Sequence, residues 1–342
     1  MSIRTITSLI LFACLLVACT TETVDPGPTV PIETATIHPL FQQPGTVLAS
    51  EPRPATTAAP TRAAAPTATQ PQTDTATPAT GDSTTEAPTE APPTEEIIER
   101  PICSSLEELA DIQPPYYVLP GPWPAPEPLP LELFQVATAS RYIHLGFDVE
   151  QDPAPVTDLL EVLASHGIYT NFFILGSWAE ENPELVAAIA EAGHEIGNHS
   201  YAHERMGEWS AEDILADLTQ AEEILQQMTG RSTQPWFRPP FGNRSEASIQ
   251  VAYDAGWSTV TWSGGSNDFV EGTPEEVQNS ICSDFLEGAQ PGAILISHTF
   301  NEQTPAAVDR FIREMHAAGY VFMPLSVLTA PFPDRYLINQ QQ

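Results

Sequence analysis

The chain has 342 residues, 45 acidic against 12 basic side chains, a formal charge of −33, and 35 prolines against 19 glycines. Every basic residue is Arg, because the chain contains no Lys. That balance argues against a nucleic-acid partner and rules out a polybasic membrane-surface helix, both of which need a basic footprint. Four Cys are too few for a disulfide scaffold or a multi-cysteine zinc module.

From the N-terminus, Arg4 is the one charge before an uncharged apolar run, Leu9 to Ala18. This run is too short to span about 30 Å of hydrocarbon and fits the h-region of a signal peptide over residues 1–18. Its end, Leu16-Val17-Ala18-Cys19, resembles a bacterial lipobox. The resemblance implies lipidation of Cys19, with a non-lipidated signal as the alternative. The expected product is an exported lipoprotein, anchored to the cell membrane through Cys19 with its domain on the extracytoplasmic side; firm anchoring takes more than one acyl chain. Two other cysteines then remain, Cys103 and Cys282. In an oxidising compartment they are expected to form one disulfide, the alternative being two buried thiols.

Residues 19–95 form the next segment. Between Thr20 and Thr94 there are 20 Thr, 14 Pro and 13 Ala among 75 residues, with few large apolar side chains and no period. Such a stretch buries too little surface to offset its ordering entropy, so a disordered tether is expected. Its reach would lie between about 50 Å as a coil and about 230 Å fully extended. Residues 96–136 hold a second Pro cluster with Tyr116, Tyr117 and Trp123, expected to pack as an ordered strap on one domain over 137–335.

Within that domain, Tyr142–Phe147, Tyr169–Leu175, Glu195–Asn198, Pro235–Arg238, Ser258–Trp262, Ala293–Ser297 and Tyr320–Met323 read as strands. Helices between them are punctuated. Asn182-Pro183 opens one that Gly193 closes, and Ser210 with Asp213 opens one that ends at Gly230. Thr273-Pro274 and Thr304-Pro305 open two more. Alternation of this kind predicts an α/β fold with about seven parallel strands, open or closed.

Polar residues fall repeatedly at the carboxyl ends of those strands, the edge where α/β active sites assemble. They are Asp148 and Glu150, His199 and His203, Arg238, the stretch Trp262 to Asp268, and His298. The His199-Ser200-Tyr201-Ala202-His203 run spaces two imidazoles as one helical turn would, a common start to a zinc-type site. Glu150 or Asp152 could add the carboxylate.

These residues carry a family resemblance. Asp148 after Phe147, the His-Ser-Tyr-Ala-His run, Arg238-Pro239-Pro240-Phe241-Gly242, and Ile296-Ser297-His298 resemble, in order and spacing, the motifs of the polysaccharide deacetylases, the NodB homology domain or carbohydrate esterase family 4. The resemblance implies an irregular (β/α) barrel and a hydrolase that removes acetyl groups from sugars of an acetylated polysaccharide, peptidoglycan or a chitin-like glycan. It implies a divalent metal, zinc first with cobalt or nickel as alternatives, on His199, His203 and Glu150. Asp148 matches the general base, Arg238 its partner and His298 the general acid. Phe241 and Ile296 would border the acetyl group. Asp268 is grouped with them, and is also the candidate to replace a missing partner of the acid.

The chain departs from the pattern at three positions. Val149 stands where a second Asp is usual, which moves the ligand role to Glu150 with Asp152 as fallback. Gly265 stands where an Asp commonly tunes the acid His, and Phe269 where a groove Trp is usual. These departures leave a second reading, a carbohydrate-binding lipoprotein of the same fold without catalysis. A monomer is expected. His144, His166, His194 and His316 are read as structural, and Trp178 and Trp209 as candidates to stack on sugar rings.

Overall fold

Seven β-rich runs separated by capped helices can bury both faces of a parallel sheet in two ways, with helices on both sides of an open sheet or with helices outside a sheet that curls around apolar side chains, and here the sheet curls. The computed structural model describes residues 101–114 and 116–339; Cys19, the signal segment and the Thr/Pro-rich stretch lie outside them. Two short strands come first, β1 (Tyr116–Val118) and β2 (Glu132–Leu133). Next are β3 (Tyr142–Val149), α1 (Pro155–Ser165), β4 (Asn171–Ile174), α2 (Gly176–Glu181), α3 (Pro183–Glu191), β5 (Glu195–Asn198), α4 (Ala211–Thr229) and β6 (Trp236–Phe237). The chain continues through α5 (Glu246–Asp254), β7 (Ser258–Val260), β8 (Gly264–Gly265), α6 (Pro274–Gly288), β9 (Ile294–His298), α7 (Thr304–Ala317), β10 (Val321–Phe322), α8 (Leu325–Leu328) and β11 (Leu337–Asn339).

Eight strands follow the order β2-β7-β6-β5-β4-β3-β9-β8, and β10 pairs with the start of β3. Every pairing among these nine is parallel. The sheet curls until Gln135, just after β2, bridges to Ala293, just before β9. This is the irregular α/β barrel expected from the resemblance, with nine parallel strands where seven were read. The two extra ones are β2, two residues within the stretch read as a Pro-rich strap, and β8, which is Gly-Gly.

Register decides what faces inward, because strand side chains alternate. Asp148 pairs across β9 with His298 and across β4 with Phe173. The interior is filled by Phe173, Trp236, Val260, Ile294 and Met323, with Leu325 and Leu328 of α8 as a plug. The opposite faces of the same strands, through Phe147, Phe172 and Ile196, pack on Leu159, Phe285 and Phe311 of the helices. Each such fully buried side chain contributes about 1.5–3 kcal/mol.

Most helix punctuation acts as read. The Ser210 hydroxyl accepts from the Asp213 N–H at 3.1 Å, and Gly230 ends α4 in the left-handed region, φ 67°. Thr273 and Glu276 form a reciprocal capping box at the start of α6. Two positions differ. The Asn182 side chain donates to the Trp178 carbonyl at 2.9 Å instead of capping α3, because α2 ends there with carbonyls to satisfy. At α7 the N-cap is Gln303, so Thr304 is the first helical residue.

The segment before β3 is tied to this body at several points. β1 pairs antiparallel with β11, and the Trp123 ring lies 5.7 Å from that of Tyr169. Cys103 is bonded to Cys282 of α6, Cα to Cα 6.1 Å, across 179 residues of chain.

Candidate active site

Asp148 is the penultimate residue of β3 and is buried, 3% exposed. Its Oδ1 accepts from Arg238 Nη1 at 2.7 Å. Arg238 follows β6 and is itself fully buried, its guanidinium 4.0 Å over the face of Phe173. A buried cation is tolerable only when paired, and Asp148 supplies the pair. Burial pulls the Arg238 pKa below its ordinary value, opposed by the Asp148 carboxylate.

Glu150 follows β3 by one residue and turns back toward the two histidines. Its Oε2 lies 3.2 Å from His199 Nε2 and also contacts His203 Nε2. One ligand atom from each of the three residues falls within 4.8 Å of the others. His199 Nδ1 lies 2.8 Å from the Arg238 carbonyl, which can only accept, so this nitrogen carries the proton. Nε2 is then left with a lone pair facing Glu150 Oε2 and, at 3.6 Å, Asp148 Oδ2. A lone pair against two carboxylates is repulsive unless a proton or a cation lies between them. Two imidazoles and one carboxylate are also a ligand set of catalytic zinc sites with an open position, so the donor chemistry fits a divalent metal. Burial alone would raise the Glu150 carboxyl; its contacts with the two imidazoles outweigh that and hold it below the usual carboxylate range. Asp152 is elsewhere, exposed, its Oδ1 accepting from the Ala154 N–H at the start of α1.

The histidine pair is not on a helical turn. Residues 199–203 form a loop in which Ser200 and His203 adopt left-handed backbone, φ 69° and 53°. Non-glycine residues hold such angles only when the surroundings over-determine them. Here Asn198 accepts from the Ser200 N–H at 2.8 Å, and Ser200 Oγ from the His203 N–H at 3.1 Å. Asp217 of α4 accepts from the Tyr201 and Ala202 N–H groups at 2.8 and 3.1 Å. Sequence reasoning missed both Asn198 and Asp217. Asp217 does carry a signal: it is an acid on the apolar stripe of α4, beside Ile214, Leu218 and Ala221.

Across the cleft, His298 ends β9, with its side chain 17% exposed. Its Nδ1 is 2.9 Å from Asp268 Oδ1, and its backbone N–H donates to Asp268 Oδ2 at 2.6 Å. Asp268 also accepts from the Ser266 and Ser297 hydroxyls and is 0% exposed. It therefore cannot touch substrate, which corrects its grouping with Phe241 and Ile296: it is the partner of His298. The reason is β8. A Cβ at Gly265 would meet Ile296 Cγ2 at 2.3 Å and the Ile296 carbonyl oxygen at 2.6 Å, so no aspartate fits there. The carboxylate comes from three residues later instead. Burial favours neutral His298, but the Asp268 hydrogen bond and charge, helped by Asp148 and Glu150, raise its pKa above the ordinary value.

Asp148, Glu150, His199, His203 and His298 line one cleft of about 670 Å³ together with Gln151, Trp262, Ser266, Asn267, Phe269, Phe241 and Ile296. Phe241 is 55% exposed, φ 58°, its ring 4.6 Å from that of His203. Phe269 and Phe300 flank the His298 ring at 5.1 and 5.2 Å. Trp178 is buried, donating to the Gln151 carbonyl at 2.7 Å, and Trp209 packs on a core cluster, so neither is a free stacking surface; Trp262 is the tryptophan that lines the cleft.

The family described as Polysaccharide deacetylase matches residues 135–260. The peptidoglycan-N-acetylmuramic acid deacetylase PdaA of Bacillus subtilis is 28% identical over 191 residues, 56% of this chain and 72% of that one. The structure of B. subtilis PdaA, a family 4 carbohydrate esterase, superposes with a TM-score of 0.54 at 27% identity, covering 58% of this chain and 84% of that one. The BA3943 protein of Bacillus anthracis, described as a CE4 family pseudoenzyme, also gives 0.54, at 25% identity over 57% and 68%. The barrel and the strand-end cleft agree with these likenesses: residues 135–260 match the polysaccharide deacetylase family, and the fold is that of a family 4 carbohydrate esterase.

Proposed function

We propose that this domain removes acetyl groups from N-acetyl or O-acetyl sugars of a cell-wall or extracellular polysaccharide, using a divalent metal, zinc first, held by Glu150, His199 and His203. The observation that carries this reading is the opposed pair Asp148–Arg238 and His298–Asp268 on either side of that ligand set. The metal, when bound, would polarise the acetyl carbonyl and acidify water. Asp148, kept oriented by Arg238, takes the proton of the attacking water. His298 delivers a proton to the leaving amine or alkoxide, and Asp268 favours the cationic ring that this step needs. Ile296 and Phe241 border the methyl group and exclude water from it.

An acetylated peptidoglycan is the substrate class that best suits a domain of this kind on an exported lipoprotein tethered through Cys19, and this placement rests on the sequence alone. The second reading, a silent carbohydrate binder, draws on the likeness to the pseudoenzyme and on Gly265 and Phe269. Against it, Asp268 supplies the carboxylate that Gly265 lacks. Acetate release from peptidoglycan and from chitooligosaccharides separates the two. We expect release that stops on chelation and returns with zinc. Glycan binding without release under any metal would favour the silent binder.

A further inference from the structure

Below the reacting groups, β3 turns His144, Gly146 and Asp148 to the barrel interior, two residues apart. The Nδ1 of His144 lies 3.0 Å from the Met323 carbonyl, so it carries the ring proton and Nε2 carries a lone pair. Among the described residues that Nε2 is fully buried with no protein partner. Arg238 presents the complement: Nη1 is taken by Asp148, while Nε and Nη2 are buried donors with no partner among the described residues. Unmatched buried groups of both kinds are costly, and a lone acceptor beside lone donors is the arrangement that removes the cost for both.

Gly146 shows how close they are. A Cβ on it would stand 2.6 Å from His144 Nε2 and 3.2 Å from Arg238 Nη2. Without a Cβ at position 146 both nitrogens approach the same point of the strand, and one water reached by both would satisfy the acceptor and a donor together. Burial, against the opposing Met323 bond and with a smaller push from the Arg238 charge, holds the His144 pKa down to about 3, so the acceptor form is the one present at neutral pH.

We propose that His144 is a positioning residue for the deacetylation reaction: through one bridging water its Nε2 accepts from Arg238 Nη2–H and fixes the guanidinium that orients Asp148. The inference rests on the deacetylase reading for its kinetic arm only. His144 touches no substrate; it acts through Arg238, and its place on the strand two turns of alternation below the base lets backbone geometry set the distance.

Two substitutions split the ring's two bonds. His144→Asn keeps a donor for Met323 and loses the acceptor toward Arg238; His144→Gln keeps the reach of Nε2 and loses the Met323 bond. We expect kcat to fall roughly tenfold in His144→Asn, the size of one hydrogen bond to a charged group, with KM and zinc content unchanged, and to stay near wild type in His144→Gln. Gly146→Ala should behave like His144→Asn, because its Cβ, 2.6 Å from His144 Nε2, would push the ring away from Arg238. The opposite order, equal losses, or wild-type rates throughout would overturn the proposal. A second arm needs no turnover: the ¹⁵N resonance of His144 Nε2 in the full chain should move in Arg238→Lys, and an unmoved resonance would also overturn it. Wild-type protein that releases no acetate would instead sink the deacetylase reading and leave the NMR arm to decide the contact.

Discussion

On one wall of the cleft, Asp148 is clamped by a guanidinium that is fully buried and stacked on Phe173, and both residues are placed by strands. On the other wall, His298 keeps some exposure, and its partner Asp268 comes from a loop after a two-residue glycine strand. The Asp148 wall takes its geometry from the sheet register, through the pairing of Asp148 with His298 and the Arg238 N–H bond to the Asn198 carbonyl. The acid wall is assembled from β9 and a loop whose Asn267 N–H is held by Asp284 of α6 at 2.9 Å. The difference teaches that one charge requirement can be met from two sequence positions when local packing, here Ile296 against Gly265, forbids the first.

The largest effects should come from the reacting groups themselves. Asp148→Asn and His298→Gln are each expected to lower kcat by roughly 10²–10⁴-fold, the range of positioned acid–base groups, with zinc content unchanged in His298→Gln. Equal activity in either would break the assignment of its wall.

Next is the staple behind the acid wall. Closing a loop of 179 residues limits the unfolded chain, and removing such a bond typically costs about 2–5 kcal/mol. Cys103→Ser with Cys282→Ser should lower Tm, and amide exchange should rise in α6 before it rises in β3 and β4. Uniform exchange across both walls would mean that the staple does not favour one of them.

Acid should act on the whole barrel. His144 and His316 are pushed down to about 3, and His194 to about 4, chiefly by burial. Each folded pKa lies below the ordinary value near 6.5, so these rings are neutral when folded and take up a proton on unfolding. Stability is therefore intact above about pH 6.5 and falls as pH drops toward the folded values, by at most about 1.4 kcal/mol per unit per ring. Denaturant midpoints between pH 7 and pH 5 check this, and a flat profile would contradict it.

The smallest effect sharpens the comparison most. Asp268→Asn removes the charge that raises the His298 pKa, so the alkaline limb of the rate profile should move to lower pH, with kcat down about tenfold. An unmoved limb would mean that Asp268 only holds the backbone of His298.

Much of this was legible in the sequence. The seven strands β3 to β7, β9 and β10, the caps of α4 and α6, and most residues that meet in the cleft can be read from apolar runs, punctuation and motif spacing. The helical turn assumed for the histidine pair was wrong, because Ser200 and His203 are left-handed and their supports, Asn198 and Asp217, are distant or buried in another pattern. Asp268 was grouped with the substrate contacts because burial does not follow from position in a loop. His144 reads as structural in the sequence because its orphaned nitrogen, and the glycine that makes room beside it, exist only once β3 and β6 are brought into one barrel.

The most direct test of the central claim is zinc titration of the protein beside Glu150→Ala, Asp152→Ala and His203→Ala. The account predicts one zinc per chain in the wild type and in Asp152→Ala, and weakened or lost binding in Glu150→Ala and His203→Ala. Loss in Asp152→Ala with retention in Glu150→Ala, or no specific zinc in the wild type, would contradict the ligand set and the hydrolytic chemistry built on it.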